Sequence, residues 1–232
     1  MSLKVAKTEL AIQPYGASAG VRALNLDLSV DSDIELDPAA VIETIKETLG
    51  DDDLFENLLT GRLHLIFRSS DGDPVEQREG IVEFLSEGLS NAALDLQVKQ
   101  MKLEPNQLRP PFIELHTAGT IFTGQDMFYE NFNYVVCDTK NIATPAHPFA
   151  LVEISKHSFS TFIFHITTKN DWDTIVKEFI EPQYVVDQRA RIFLVPAEDT
   201  VQEMLSRARI CAELATEHGV RVGMPLSIID AS

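Results

Sequence analysis

Residues 62–74, RLHLIFRSSDGDP, set the tightest limit on what this chain can fold into. Leu63–Phe67 is a short apolar run of the kind found in a strand buried on both faces. It breaks into Ser69-Ser70-Asp71-Gly72-Asp73-Pro74, residues that favour a turn. The stretch that follows, residues 75–89, places Ile81, Val82, Leu85 and Leu89 on one helical face. Strand, glycine-containing loop and helix form the unit from which parallel α/β proteins are built. In such proteins the loop at the carboxyl end of a strand is where function is carried.

The remaining chain extends this alternation. Leu10–Pro14 reads as a short strand, Tyr15–Gly20 as a flexible loop of small residues, and Val21–Val30 as a half-buried strand that alternates from Leu24 to Leu28. Asp37 reads as a helix N-cap with Pro38 in the first turn; Val41, Ile42, Ile45 and Leu49 form the buried face, and Gly50 is the stop. Asp51–Asp53 is read as a solvated turn, because no calcium-loop pattern follows it. Further strands are predicted at Leu94–Leu103, Phe112–Thr120 (with its loop), Tyr134–Lys140, Ala150–Ile154, Phe159–Thr167, Arg191–Pro196 and Val220–Leu226. Helices are predicted at Gln125–Phe132, Asp171–Ile180 and Glu198–His218, with Pro105–Pro111 and Asn141–Pro148 irregular. Met1-Ser2-Leu3 reads as a leader and is set aside. The order predicts a single α/β domain over residues 1–232, a partial (incomplete) parallel β/α barrel.

Charge narrows the function classes. With 19 Lys and Arg against 36 Asp and Glu, the net charge is −17, which disfavours nucleic acid and anionic membrane as partners. Cys137 and Cys211 are far apart and belong to no motif, so neither a disulfide framework nor a structural zinc site is expected. No apolar run approaches the roughly 20 residues that span a bilayer, and no signal peptide is visible; a cytoplasmic location is expected.

Three groups could carry chemistry. Ser70-Asp71-Gly72-Asp73-Pro74 could receive an amine or a metal at a helix start, with Gly72 allowing close backbone approach; an ordinary strand–helix turn has the same composition. Glu114 and His116 share one face of a strand and, with Cys137, Asp138 and His165, could form a metal cluster at one end of a barrel. The spacing is not diagnostic, and packed histidines account for it equally. Lys140 follows a buried strand and could meet a carboxylate or substrate oxygen. No HExxH, GxSxG, Walker or dinucleotide fingerprint is present.

In order and spacing these pieces resemble the radical S-adenosylmethionine enzyme family of 7-carboxy-7-deazaguanine synthase, which acts in queuosine-type biosynthesis. Ile12-Gln13-Pro14 and Ala19-Gly20 resemble that family's opening segment, and Val21–Leu28 its first barrel strand. Asp71-Gly72-Asp73-Pro74 stands where the family has GGEP, which holds the methionyl amine. Glu114–Thr120, ELHTAGT, resembles ETNGT; Asp138-Thr139-Lys140 resembles SPK; Leu194-Val195-Pro196, with Thr200 and a long helix, resembles the family's closing motif. The resemblance runs from about residue 10 to about residue 226, and it implies cofactor-binding roles for Asp71, Gly72, Asp73, Glu114, His116, Thr117 and Lys140.

The family's C-x₃-C-x₂-C triplet, which holds a [4Fe–4S] cluster, is replaced here by Leu28–Asp37, LSVDSDIELD. Carboxylates and hydroxyls do not replace thiolates on such a cluster. The resemblance therefore implies the fold without the reaction. The expected function is a cluster-free, non-catalytic binding or assembly protein linked to 7-deazaguanine metabolism. The alternatives are a metal-dependent enzyme that re-uses the barrel mouth and a purely structural homo-oligomer. No cofactor and no metal is expected, with S-adenosylmethionine bound weakly if at all. The partners expected are a small-molecule or nucleotide-like ligand and a second copy in a homodimer.

Overall fold

Nine strands form one sheet in the order β3-β1-β2-β4-β5-β6-β7-β8-β9. They are β1 (Leu3–Ile12), β2 (Arg22–Leu28), β3 (Glu35–Leu36), β4 (His64–Arg68), β5 (Phe112–Thr117), β6 (Tyr134–Asp138), β7 (Ser160–Ile166), β8 (Ile192–Pro196) and β9 (Arg221–Val222). From β2 to β9 every neighbouring pair is parallel, and only β1 runs antiparallel to β2 and β3. The computed structural model describes residues 2–13, 16–100, 110–124, 127–139, 146–182, 191–197 and 200–223, with the side chains of residues 97–100 and 201 outside that set. The sheet is open, and its mixed α/β class and mainly parallel pairing match the expectation.

The helices are α1 (Pro38–Leu49), α2 (Asp52–Leu59), α3 (Arg78–Glu83), α4 (Ser90–Gln100), α5 (Pro148–Lys156), α6 (Asn170–Ile175) and α7 (Val201–His218). Their buried residues join one apolar cluster with one face of the sheet, which includes Leu24, Leu26, Leu65, Phe67, Leu115, Val135, Phe162 and Leu194. The opposite face supplies a separate small cluster of strand residues, Val136, Ile163 and Val195, with Tyr134 and Phe193 against it. The first face is therefore helix-packed, and the second is helix-free among the described residues.

Local chemistry explains most boundaries. Asp37 accepts from the Ala40 amide at 2.8 Å, Pro38 occupies the first turn, and Gly50 closes α1 at φ +62°. At the far end of the chain the Thr200 side chain caps α7, and Gly219 ends it at φ +69°. After β4 a 3₁₀ turn over Pro74–Gln77 leads into α3, and a π-helical turn over Phe84–Leu89 joins α3 to α4.

Several expectations are corrected. Ala150–Ile154 lies inside α5, not a strand. His147 and Pro148 start that helix, and a five-residue apolar run is too short to separate the two periodicities. Leu94 and Leu96 lie in α4, where alternation alone suggested a strand; residues 101–103 fall outside the described set. Asp51 caps α2 by accepting from the Asp53 amide, so the acidic run starts a helix and is not a solvated turn. Val82 is exposed, and Phe84 is buried instead, because the buried face runs Ile81, Phe84 and Gly88 at i, i+3 and i+7, which turns Val82 outward. Gln125–Phe132 contributes a 3₁₀ turn at Tyr129–Asn131, with residues 125 and 126 outside the described set. On α7, Leu205 is exposed and Leu214 is buried. Leu3 is buried and pairs with Leu36, so the last residue of the supposed leader opens β1, while Met1 lies outside the described residues. Finally, β2 is buried from Ala23 to Leu28 on both faces rather than half-buried.

Candidate functional site

Two polar nodes stand on the parallel strands. The first is at their carboxyl edge, where Asp73 follows β4. Its carboxylate is 4% exposed and accepts from the Thr117 hydroxyl at 2.8 Å through each oxygen. It also accepts from the Thr120 amide at 3.1 Å, the Thr120 hydroxyl at 3.0 Å and the Val75 amide at 3.1 Å. Asp73 thus caps the turn after β4 and clasps the loop after β5. Thr117 in turn accepts from the Gly119 amide at 3.0 Å. Exposed Asp71 accepts from the Ser29 and Ser69 hydroxyls, tying this loop to the end of β2. A Cβ on Gly72 would meet nothing closer than 3.5 Å, so the fold itself leaves room for a side chain there.

The second node is on the helix-free face. Cross-strand partners on this face run Ala23, His64 and Phe112 in one row, and Asn25, Ile66, Glu114 and Tyr134 in the next. Glu114 is fully buried. It receives a hydrogen bond from the Ser18 hydroxyl, and His116 Nε2 lies 3.3 Å from Oε2 while His64 Nδ1 lies 3.5 Å from Oε1. Burial works against its ionisation, but the bonds from His116, His64 and Ser18 outweigh that, and its pKa falls to about 2. His64 is further fixed by the Ser18 hydroxyl at 2.6 Å and by stacking on Phe112 at 4.1 Å.

The loop expected to be flexible is seated on this node. Gly16 has φ +83°, and a Cβ there would overlap Glu114 Oε2 and stand 3.0 Å from Val136 Cγ2. Only glycine fits that position. Ser18 is fully buried, so its contact with His64 and Glu114 is not an accessible nucleophile arrangement.

Further polar groups extend along the same face. Arg68 Nη2 donates to Glu9 at 2.8 Å and to Asp27 at 3.3 Å, and Asp27 also accepts from the Ser70 amide at 2.9 Å. His165 Nε2 lies 2.8 Å from Asp138 Oδ1, and Tyr134 bonds Thr161. Gln13 donates to Asn25 at 2.9 Å. Among the described residues three buried nitrogens here have no partner: Asn25 Nδ2, Arg68 Nε and His165 Nδ1. A buried polar group without a partner costs about 1–3 kcal/mol, so the first two call for an acceptor and His165 Nδ1, whose ring donates through Nε2, calls for a donor.

The predicted site residues are thus divided. Asp71, Gly72, Asp73 and Thr117 gather at the carboxyl edge, and Glu114 and His116 lie on the helix-free face. Lys140 lies outside the described residues. Cys137 alternates to the helix-packed face, where a Cβ on Gly119 would stand 2.8 Å from its Sγ, so it cannot join Glu114, His116 and His165. No group of three or more metal-ligating side chains assembles among the described residues. Asn25, Asp27, His64, Arg68 and Ser18 were not foreseen. For the first four the signal was the alternation of polar with apolar residues in Arg22–Leu28 and His64–Arg68; Ser18 lies in neither stretch.

The cluster that the resemblance implies does not fit this chain. Between β2 and α1, the Ser29 amide donates to Lys4 O at 3.1 Å, the Ser32 hydroxyl to Val5 O at 2.9 Å, and the Val5 amide to Ile34 O at 3.0 Å. The segment is folded along β1 and carries no thiol, and the chain's two cysteines are both buried elsewhere. No protein-family model matches the chain, and no curated protein matches it significantly. No helix among the described residues is long and apolar enough to cross a membrane.

Proposed function

We propose that this chain is a cluster-free relative of the radical S-adenosylmethionine barrels, resembling 7-carboxy-7-deazaguanine synthase, that binds a small polar, nucleotide-like ligand without transforming it. The observation that carries this reading is the set of unpartnered buried groups on the helix-free face: the donors Asn25 Nδ2 and Arg68 Nε, and the acceptor His165 Nδ1, whose ring donates through Nε2 to Asp138. A heterocycle that presents acceptors together with a ring N–H supplies what these groups lack, whereas an apolar ligand leaves each of them unpaired. The open, mainly parallel sheet, with its strands in sequential order from β4 to β9, supports the same reading, in which the fold is a partial β/α barrel.

Two measurements test it. Anaerobic reconstitution with iron and sulfide yields no cluster; stoichiometric retention of both, with brown charge-transfer absorption, overturns the reading. Thermal shift and calorimetry with guanine, 7-carboxy-7-deazaguanine, GMP and S-adenosylmethionine then rank the ligand classes. A purine or deazapurine raises the melting temperature, and Asn25→Ala or His165→Ala abolishes that rise. S-adenosylmethionine binds no tighter than about 0.1 mM, about −5.5 kcal/mol, because the Asp73 oxygens are already occupied by Thr117 and Thr120. Micromolar S-adenosylmethionine binding, or no response to any heterocycle, rejects the proposal.

A further inference from the structure

The helix α4 is the least buried of the longer helices on its side of the sheet. None of its described side chains is fully buried: Asn91, Leu94 and Asp95 are exposed, while Ala92, Ala93 and Leu96 are only partly covered. Leu94 alone is 55% exposed. The helix is flanked by two clefts of about 730 Å³ each, which share Leu59, Asn91 and Leu96, and no described residue of the helix-free face lines either of them.

The two clefts differ in chemistry. One runs between α4, α1 and α2 over an apolar floor of Ile42, Phe55, Leu59 and Leu96. Its rim is acidic, with Asp52, Asp53, Glu87 and Asp95 beside Glu43. Lys46 is the one cation among its described lining residues, and it is held by Glu43 at 2.6 Å and by the Phe55 ring at 5.3 Å. The other cleft, lined by Leu85, Leu89, Ala93, Leu94 and Ile113, has no charged side chain among its described residues.

We propose that α4 and its two clefts dock a basic amphipathic helix of a different protein. Its apolar stripe would cover Leu94, Leu96 and Phe55, and its lysines or arginines would meet the acidic rim. Charge selects this occupant. A second copy of the chain, with a net charge of −17, would bring the same carboxylates against themselves, and like charges opposed across an interface cost affinity. The surface lies on the helix-packed side and does not depend on the ligand proposed for the opposite face.

A fluorescent leucine–lysine amphipathic helical peptide, titrated into the whole protein at physiological ionic strength, tests the proposal, with the leucine–glutamate peptide as its counterpart. The lysine peptide binds saturably, and the glutamate peptide does not. Asp52→Asn, Asp53→Asn and Glu87→Gln combined weaken binding about tenfold or more. Removing the same charge elsewhere, with Asp31→Asn, Asp33→Asn and Glu178→Gln, changes it less than about twofold, since distant charges are screened. Hydrogen exchange then shows new protection at residues 90–96. Equal loss in both triple variants, binding without protection at α4, or a native dimer dissociated by Leu94→Asp each overturns the proposal.

Discussion

The two faces of the sheet are built on opposite rules. On the helix-packed face, Leu24, Leu65 and Leu115 are completely buried among other apolar side chains. On the helix-free face, the neighbouring positions Asn25, His64, Glu114 and His116 are polar, and they are held by one another and by the loop that carries Gly16 and Ser18. Apolar burial is non-directional and tolerates no void, whereas a buried polar group requires a specific partner. The first face therefore gains stability from packing, and the second from polar groups that each need a particular partner.

The largest effect expected is on the helix-packed face. Leu65→Ala costs about 2–5 kcal/mol in chemical denaturation, the range for a cavity in a close-packed core. A cost below about 1 kcal/mol breaks the assignment of that face.

Glu114 gives the next largest. Its folded pKa of about 2 lies below the ordinary glutamate value of 4.5, so it contributes stability that is present above about pH 4.5 and lost as the pH falls towards 2. That shift corresponds to about 3 kcal/mol. Glu114→Gln removes the contribution at neutral pH and flattens the acid limb relative to the parent protein. An unchanged acid limb in the variant rejects the histidine–carboxylate node.

A smaller difference separates two glycines of the covering loop. Gly16 and Gly20 both have positive φ, but only Gly16 presses on the sheet. Gly20→Ala costs about 1 kcal/mol of backbone strain, and Gly16→Ala costs about 2 kcal/mol or more, since its Cβ also overlaps Glu114. Equal costs at the two positions mean that the loop does not close on the face.

The smallest expected signal is chemical. Burial, reinforced by the charges of Asp73 and Asp138, pushes the Cys137 thiol up, and burial lifts Cys211 to about 12. Native protein should leave both unreacted with Ellman's reagent and react only on unfolding. Rapid labelling of Cys137 would move it to the helix-free face.

The sequence by itself determined the strand–turn–helix unit after Leu63, the caps at Asp37 and Gly50, the mainly parallel α/β class and the absence of a cysteine triplet. These depend on local periodicity, capping and residue chemistry, all of which are written within a few neighbours. It did not distinguish helix from strand at Ala150–Ile154, where too few residues fix a period. Only the tertiary structure decided that Asn25 and Asp27 are buried rather than solvated, that Cys137 and His116 lie on opposite faces, and that Gly16 and Ser18 close over Glu114. Those facts join residues as far apart as positions 18 and 114, and sheet register, not local pattern, brings them together.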